Sequence, residues 1–252
     1  MTKKAVIVAS GGMDSAAAAW LYKSKGYDIH LVGFDYGQKH VKELSCLMSY
    51  AQDLNAQVDI IDLKQITVLL GRNSLTADAD IPDGHYREET MRKTVVPNRN
   101  AMMLNIAVAI AQGEEAEVAV IGVHGGDHFI YPDCRPPFVL ASMGAIAAAT
   151  EGKVRLEAPF LYKSKADIAE IGTALFVPFE KTWSCYKGGS IHCGTCGTCF
   201  ERKEAFHVAR VTDTTKYAIE GFEWYKGEHK VEEPKPQQRE EHGLPVGGEL
   251  EA

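Results

Sequence analysis

The sequence predicts a doubly wound α/β domain on a mostly parallel sheet. Two observations carry that prediction. Short continuous apolar runs such as Lys4-Ala-Val-Ile-Val-Ala9 look like strands buried on both faces. Those runs alternate with segments of helical periodicity at the spacing of βαβ units. A chain of 252 residues, 45% apolar and 24% charged, is long enough to bury one large core.

Each element follows in order. Lys4 to Ala9 is strand one, and Ser10-Gly11-Gly12 is turn chemistry. From Ser15 the alanine-rich run to Lys23 is strongly helix-forming, and Gly26 suits a C-terminal cap. Ile29 to Phe34 is strand two. Lys39 to Leu54 carries Val41, Leu44, Leu47, Met48 and Ala51 at helical spacing and reads as helix two. Val58 to Leu63 is strand three. Gly71 to Val96 is polar and irregular, a length that points to a functional or mobile loop. Asn100 to Gln112 is a helix, Val118 to Gly122 is strand four, and His124 to Pro137 is a second long loop. Phe138 to Thr150 is a helix, apolar nearly all round and therefore expected to be buried. Arg155 to Ala158 is a short strand. Ser164-Lys-Ala-Asp167 resembles a capping box for a helix to Leu175. A cysteine-rich segment follows, then a helix from about Phe200 to Ala209. The chain divides into 1–180 as a nucleotide-binding domain, 181–226 as a metal-binding segment and 227–252 as a disordered tail.

Composition excludes several functions. The longest apolar or small run, Phe138 to Ala149, is too short to span a bilayer. Lys3-Lys4 and the apolar run that ends at Ser10 do not form a secretory signal, so a cytoplasmic protein is expected. The net charge of -7 disfavours generic nucleic-acid coating. From Glu228 onward lie seven acidic and three basic residues, so -4 of the charge sits in the tail. The functional reading therefore rests on motifs.

The first motif is Ser10-Gly11-Gly12-Met13-Asp14-Ser15 between strand and helix. Glycines let the backbone approach a ligand, and the helix start offers unpaired N–H groups to phosphate. Asp14 has the wrong sign for a phosphate, a conflict that a bridging Mg²⁺ would remove. A Walker A loop is excluded, because the one Gly-Lys pair is Gly152-Lys153, followed by Val154. The hexapeptide resembles the SGGxDS signature of PP-loop ATP pyrophosphatases, which cleave ATP to AMP and pyrophosphate and adenylate a carbonyl or carboxyl oxygen.

The second motif is Cys185-x7-Cys193-x2-Cys196-x2-Cys199. Four closely spaced thiolates suit tetrahedral zinc with no open position, hence a structural ion. Two competitors stay open at this point: His192 in place of Cys185, and an iron–sulfur cluster. Cys46 and Cys134 read as core residues.

Phe34-Asp-Tyr-Gly-Gln38, Val96-Pro-Asn-Arg-Asn100, Tyr131-Pro-Asp-Cys-Arg135 and Trp183-Ser-Cys-Tyr186 occur in that order. Together with the cysteines they resemble the 7-cyano-7-deazaguanine synthase family (QueC) over about residues 4 to 220. The resemblance implies an adenine nucleotide alpha hydrolase-like fold and an ATP-dependent ligase. Such an enzyme turns 7-carboxy-7-deazaguanine and ammonia into the nitrile by adenylation, amide formation and dehydration. Its product feeds queuosine, archaeosine or deazapurine DNA modification. Alternatives are a relative that stops at the amide or conjugates the deazaguanine, and a PP-loop tRNA-modifying thiolase. Asn98 stands where the family usually has Gly; Asn tolerates φ > 0 best after Gly. Ile130 departs from the family's small residue.

The resemblance also implies roles. Val8, Ala9, Ser10, Gly11, Gly12, Met13, Asp14 and Ser15 bind ATP. Asp14, Lys165 and Arg99 act in catalysis, and Asp127, Asp133 and Arg135 bind the substrate. Zn²⁺, ATP and Mg²⁺ are the cofactors. The partners are small molecules, without membrane or direct nucleic acid, in a possible homodimer. Each polar residue has a plainer alternative: a solvated helix-start lysine, a surface ion pair, a loop salt bridge or a turn aspartate.

Overall fold

A computed structural model describes residues 3–69, 95–124 and 131–220. Strand β1 (Lys4–Val8) sits at the centre of a five-stranded sheet. It pairs in parallel with β2 (Asp28–Asp35) on one side and β4 (Val118–Ile121) on the other. β3 (Gln57–Asp62) and β5 (Arg155–Glu157) form the two edges, in the order β3-β2-β1-β4-β5. All four pairings are parallel. The central strands are apolar runs because both faces are covered. On β1, Ala5 and Ile7 enter one core while Val6 enters the other. Edge strand β3 is largely exposed and carries Asp59 and Asp62, charges that discourage edge-to-edge pairing.

One face is covered by α1 (Met13–Ser24), α2 (Lys42–Leu54) and α6 (Lys165–Ala174). Ala16 to Ala19 of α1 are fully buried, so small side chains let this helix approach the sheet closely. The other face packs against α4 (Arg99–Gly113) and α5 (Pro136–Ala149). Lys64–Leu69 forms the short α3, which follows β3, and Gly197–Ala209 forms α7, which packs against α6. The described elements belong to one unit, Met1–Ile219.

Local signals act as read. Gly26 has φ +83° and its N–H bonds to the Lys23 carbonyl, closing α1. The Ser164 hydroxyl accepts from the Asp167 amide at 3.1 Å, and the Asp167 carboxylate accepts from the Ser164 amide at 2.8 Å. Asn98 takes φ +53° at the start of α4, the left-handed position that Gly would fill.

Two expectations are corrected. α5 is not buried: Val139 and Ile146 are its buried residues, and Leu140 is 53% exposed. A helix whose non-polar residues run all the way round reads as apolar on every side, yet only one stripe can face the sheet. On α2 the core stripe is Leu47, Tyr50, Ala51 and Leu54, while Val41 and Met48 are exposed. Most of the 71–96 loop, residues 125–130 with Asp127 and Ile130, and the 227–252 tail lie outside the described residues.

Candidate active site

In this strand order the connections reverse between β1 and β4, and their carboxyl ends open a crevice of the kind in which α/β proteins bind ligands. The 10–15 loop leaves β1 there. Gly11 has φ +93°, and a Cβ on it would lie 1.9 Å from the Glu43 carbonyl oxygen of α2. Only glycine fits that crossing. The Gly11 carbonyl accepts from the Trp183 amide at 2.9 Å, which ties the loop to the segment entering the cysteines. The Ser15 hydroxyl donates to the Gly12 carbonyl at 3.1 Å and accepts from the Ser10 amide at 3.3 Å.

A cavity of about 200 Å³ opens over the loop. Of the expected ATP-binding set, Val8, Ala9, Ser10, Gly12, Met13, Asp14 and Ser15 line it, while Gly11 packs behind against α2. Arg99 and Lys165 line it as well. Lys165 is the first residue of α6 and its ammonium lies 2.7 Å from Asp14 Oδ2. The other Asp14 oxygen, Oδ1, is buried without a hydrogen-bond partner among the described residues. Asp133 and Arg135 are not among the lining residues. The Asp133 carboxylate instead accepts from the Asn100 amide at 2.9 Å, capping the first turn of α4. Arg135 sits at the start of α5.

The sequence reading did not assign the second wall. Tyr36, His40, Glu43, Tyr131, Trp183, Tyr186, Thr198 and Glu201 all line the cavity. Gln38 organises one side. Its oxygen accepts from the Tyr36 amide at 2.9 Å, and its nitrogen donates to the Phe34 carbonyl and to Glu43 Oε1, each at 3.0 Å. Burial pushes the Glu43 carboxyl up to about 8, against the opposing pull of Gln38 and Arg99. Burial, helped by Arg99, lowers His40 to about 3. His40 Nε2 and Glu43 Oε2 lie 3.4 Å apart, but at neutral pH both groups are uncharged and the pair is not ionic. Arg99 donates to the Tyr36 hydroxyl at 2.9 Å. Burial works against its charge, but the Tyr36, Tyr186 and Tyr131 phenols hold its pKa above the ordinary value. The result is a guanidinium cation held among aromatic side chains in the cavity that the 10–15 loop also lines. The signals were in the sequence as the Phe34–Gln38 and Trp183–Tyr186 stretches, whose residues meet only in three dimensions.

The four cysteines converge, with all sulfurs within 4.8 Å of one another. A single tetrahedral zinc with bonds of about 2.3 Å requires sulfurs about 3.8 Å apart. Cys193 and Cys199 are at 3.8 Å, and Cys196 and Cys185 at 4.0 Å. The Thr195 and Cys196 amides point at the Cys193 sulfur at 3.4 and 3.3 Å, and the Cys193 amide at the Cys185 sulfur at 3.4 Å. Mutual hydrogen bonds hold Cys193 and Cys196 toward thiolate and push Cys185 and Cys199 toward thiol. His192 is outside the set: its Nε2 accepts from the Ser184 amide at 3.1 Å, and its ring packs on Trp183. Cys134 is buried, and its sulfur accepts from Asn100 at 3.2 Å. Cys46 is only partly buried at the edge of the core.

Residues 4–210 match the model of the family described as queuosine biosynthesis protein QueC. The chain belongs to the QueC family. A 7-cyano-7-deazaguanine synthase from Ruegeria sp. strain TM1040 is 52% identical over 217 residues, covering 85% of this chain and 93% of that protein. One from Allorhizobium ampelinum is 52% identical over 221 residues, covering 87% and 94%. A solved NMN synthetase from Francisella tularensis, at 14% identity, superposes with a TM-score of 0.46 over 86% of this chain and 90% of that one. The QueC match spans the 10–15 loop, Arg99, Lys165 and all four clustered cysteines.

Proposed function

We propose that the protein joins ammonia to 7-carboxy-7-deazaguanine in two ATP-driven rounds: ammonia displaces AMP from the adenylated carboxylate to give the amide, and adenylation of the amide oxygen lets it leave with a second AMP to give 7-cyano-7-deazaguanine, each round releasing pyrophosphate. One observation carries the reading: a phosphate loop, the Asp14–Lys165 pair and the buried Arg99 cation share one cavity in a chain about half identical to synthases of that name.

Adenylation needs an anionic nucleophile placed in line with the α-phosphate and a sink for charge on the leaving pyrophosphate. The loop amides and the α1 N-terminus cradle the phosphates. Lys165 stands where that charge develops. Arg99, held by Tyr36, grips the substrate carboxylate from the cavity wall. Tyr36, Tyr131, Tyr186 and Trp183 supply ring faces for a flat heterocycle and keep water from the activated carboxylate.

The residues fit two metals. Asp14, with its unpartnered Oδ1, would hold a Mg²⁺, which neutralises phosphate charge. Cys185, Cys193, Cys196 and Cys199 would hold a structural Zn²⁺, because sulfurs this close surround one ion and leave no room for a multi-iron cluster. All described substrate-facing groups suit small molecules, and no described helix is long and apolar enough to cross a membrane.

The test is mass spectrometry after incubation with 7-carboxy-7-deazaguanine, ATP and ammonium. Acid, amide and nitrile differ in mass, so one spectrum tells full synthesis from arrest at the amide. Asp14→Ala is expected to abolish AMP formation with fold and metal content intact. An unchanged acid from the wild type would overturn the proposal.

A further inference from the structure

The cysteine segment is more than a remote staple, because α7 forms part of the cavity wall. Cys196 is the N-cap of α7 and Cys199 lies in its first turn. Thr198 and Glu201, three residues apart and so on one helix face, both line the cavity. The Glu201 carboxylate lies 3.3 Å from the Lys165 ammonium and comes from a different helix than Asp14, whose carboxylate contacts the same ammonium at 2.7 Å. His124 Nε2, on the segment after β4, lies 3.4 Å from the same ammonium and 3.9 Å from Glu201. Lys165 thus meets the phosphate loop, the segment after β4 and α7 at one atom. The next residue, Arg202, is fully buried and bonds Thr182, Ser184 and the Phe179 carbonyl, which fixes the turn of α7 that carries Glu201.

We propose that Glu201 is a positioning residue that holds the Lys165 ammonium at the phosphate loop, so that the cysteine segment sets the placement of the cation used in adenylation. This rests on the adenylation reading above. A lysine on a four-carbon stem loses about 2 kcal/mol of rotamer freedom when fixed, and a single partner leaves it free to swing. Two carboxylates from different elements remove that freedom before ATP arrives. Glu201 does so against its own charge: a carboxylate beside an anion site repels the phosphates of bound ATP. The two effects have opposite signs in binding and in turnover, and this gives the proposal its signature.

Metal-loaded full-length wild type, Glu201→Gln, Lys165→Met and the double variant are compared. Glu201→Gln keeps the shape of the side chain and removes its charge. It is expected to retain the metal content and melting temperature of the wild type, to bind ATP as tightly or more tightly, and to form AMP about 10-fold more slowly in a single turnover. The double variant is expected to be no slower than Lys165→Met, because Glu201 acts through the lysine. Acylation of lysines by an amine-specific reagent, read by mass spectrometry without ATP, is expected to rise several-fold at Lys165 and at no other lysine in Glu201→Gln. Losses that multiply in the double variant, unchanged labelling of Lys165, or weaker ATP binding together with metal loss would each overturn the proposal. The labelling needs no turnover. A wild type that forms no AMP therefore removes the adenylation reading, while the labelling still decides the lysine's tether.

Discussion

Replacing Arg202 with methionine removes a cation from the join between α7 and the chain on either side of it. The guanidinium has no exposure and donates to the Thr182 hydroxyl at 2.7 Å, the Phe179 carbonyl at 2.9 Å and the Ser184 hydroxyl at 3.2 Å. It also meets both oxygens of Asp213 at 3.4 Å and packs against the Phe179 and Phe206 rings. Burial opposes the Asp213 charge, but Arg202, Tyr217 and Thr215 hold its pKa below the usual carboxylate value. Methionine fills much of the volume but leaves Asp213 charged and short of its partner. Breaking a buried pair in this way costs about 3–5 kcal/mol. For a chain of this size that lowers the melting temperature by roughly 6–20 °C. The assay is urea unfolding of the metal-loaded protein, with a lower midpoint and an unchanged slope. Adding Asp213→Asn is expected to recover part of the loss, because it removes the orphaned charge. A loss under about 1 kcal/mol, or no recovery in the double variant, would refute the reasoning.

Three further outcomes follow from other parts of the molecule. Gly11→Ala puts a methyl into the Glu43 carbonyl and demands φ +93° of an L-residue; it is expected to destabilise by about 1–3 kcal/mol and to cut AMP formation by about 100-fold, as read by calorimetry and nucleotide chromatography. Glu43 keeps its proton when folded up to about pH 8 and loses it near 4.5 when unfolded, so its contribution to stability is full below pH 4.5 and is lost as pH rises to 8. Glu43→Gln is expected to flatten that fall and to exceed the wild type by a few kcal/mol at pH 9; parallel pH profiles of the two proteins would contradict it. Cys196→Ser removes one of four convergent sulfurs, so metal analysis is expected to show loss of the proposed zinc together with solubility, and a folded, fully loaded variant would exclude a structural site.

The features legible in the sequence are those set by neighbours along the chain. The Ser164–Asp167 cap, Gly26 after α1 and the left-handed Asn98 each need only a few residues to act, and the cysteine spacing encloses its own site. Parallel pairing followed from βαβ alternation, because parallel strands require crossovers, whereas the strand order appears only in the fold. What the sequence hid is tertiary. Glu43 and Tyr36 become cavity residues because α2 presses against the phosphate loop at Gly11, and Glu201 because α7 packs on α6. The Asp133 carboxylate also accepts from the Asn100 amide at the start of α4, a contact that the short Tyr131–Arg135 motif does not show. The helix Pro136–Ala149 misled because its apolar residues run round every side and so do not mark which stripe faces the sheet.

The hydrogen bond from the Trp183 amide to the Gly11 carbonyl joins the first turn of the fold to one of its last described segments. Contacts between residues so far apart along a chain form late, after intervening loops have closed. On a ribosome the nucleotide loop emerges early but cannot take its final shape until Trp183 has followed. The glutamate on α7 comes later still. Competence to bind and spend ATP is therefore a final act of folding, and a truncated nascent chain would hold the motif without its chemistry.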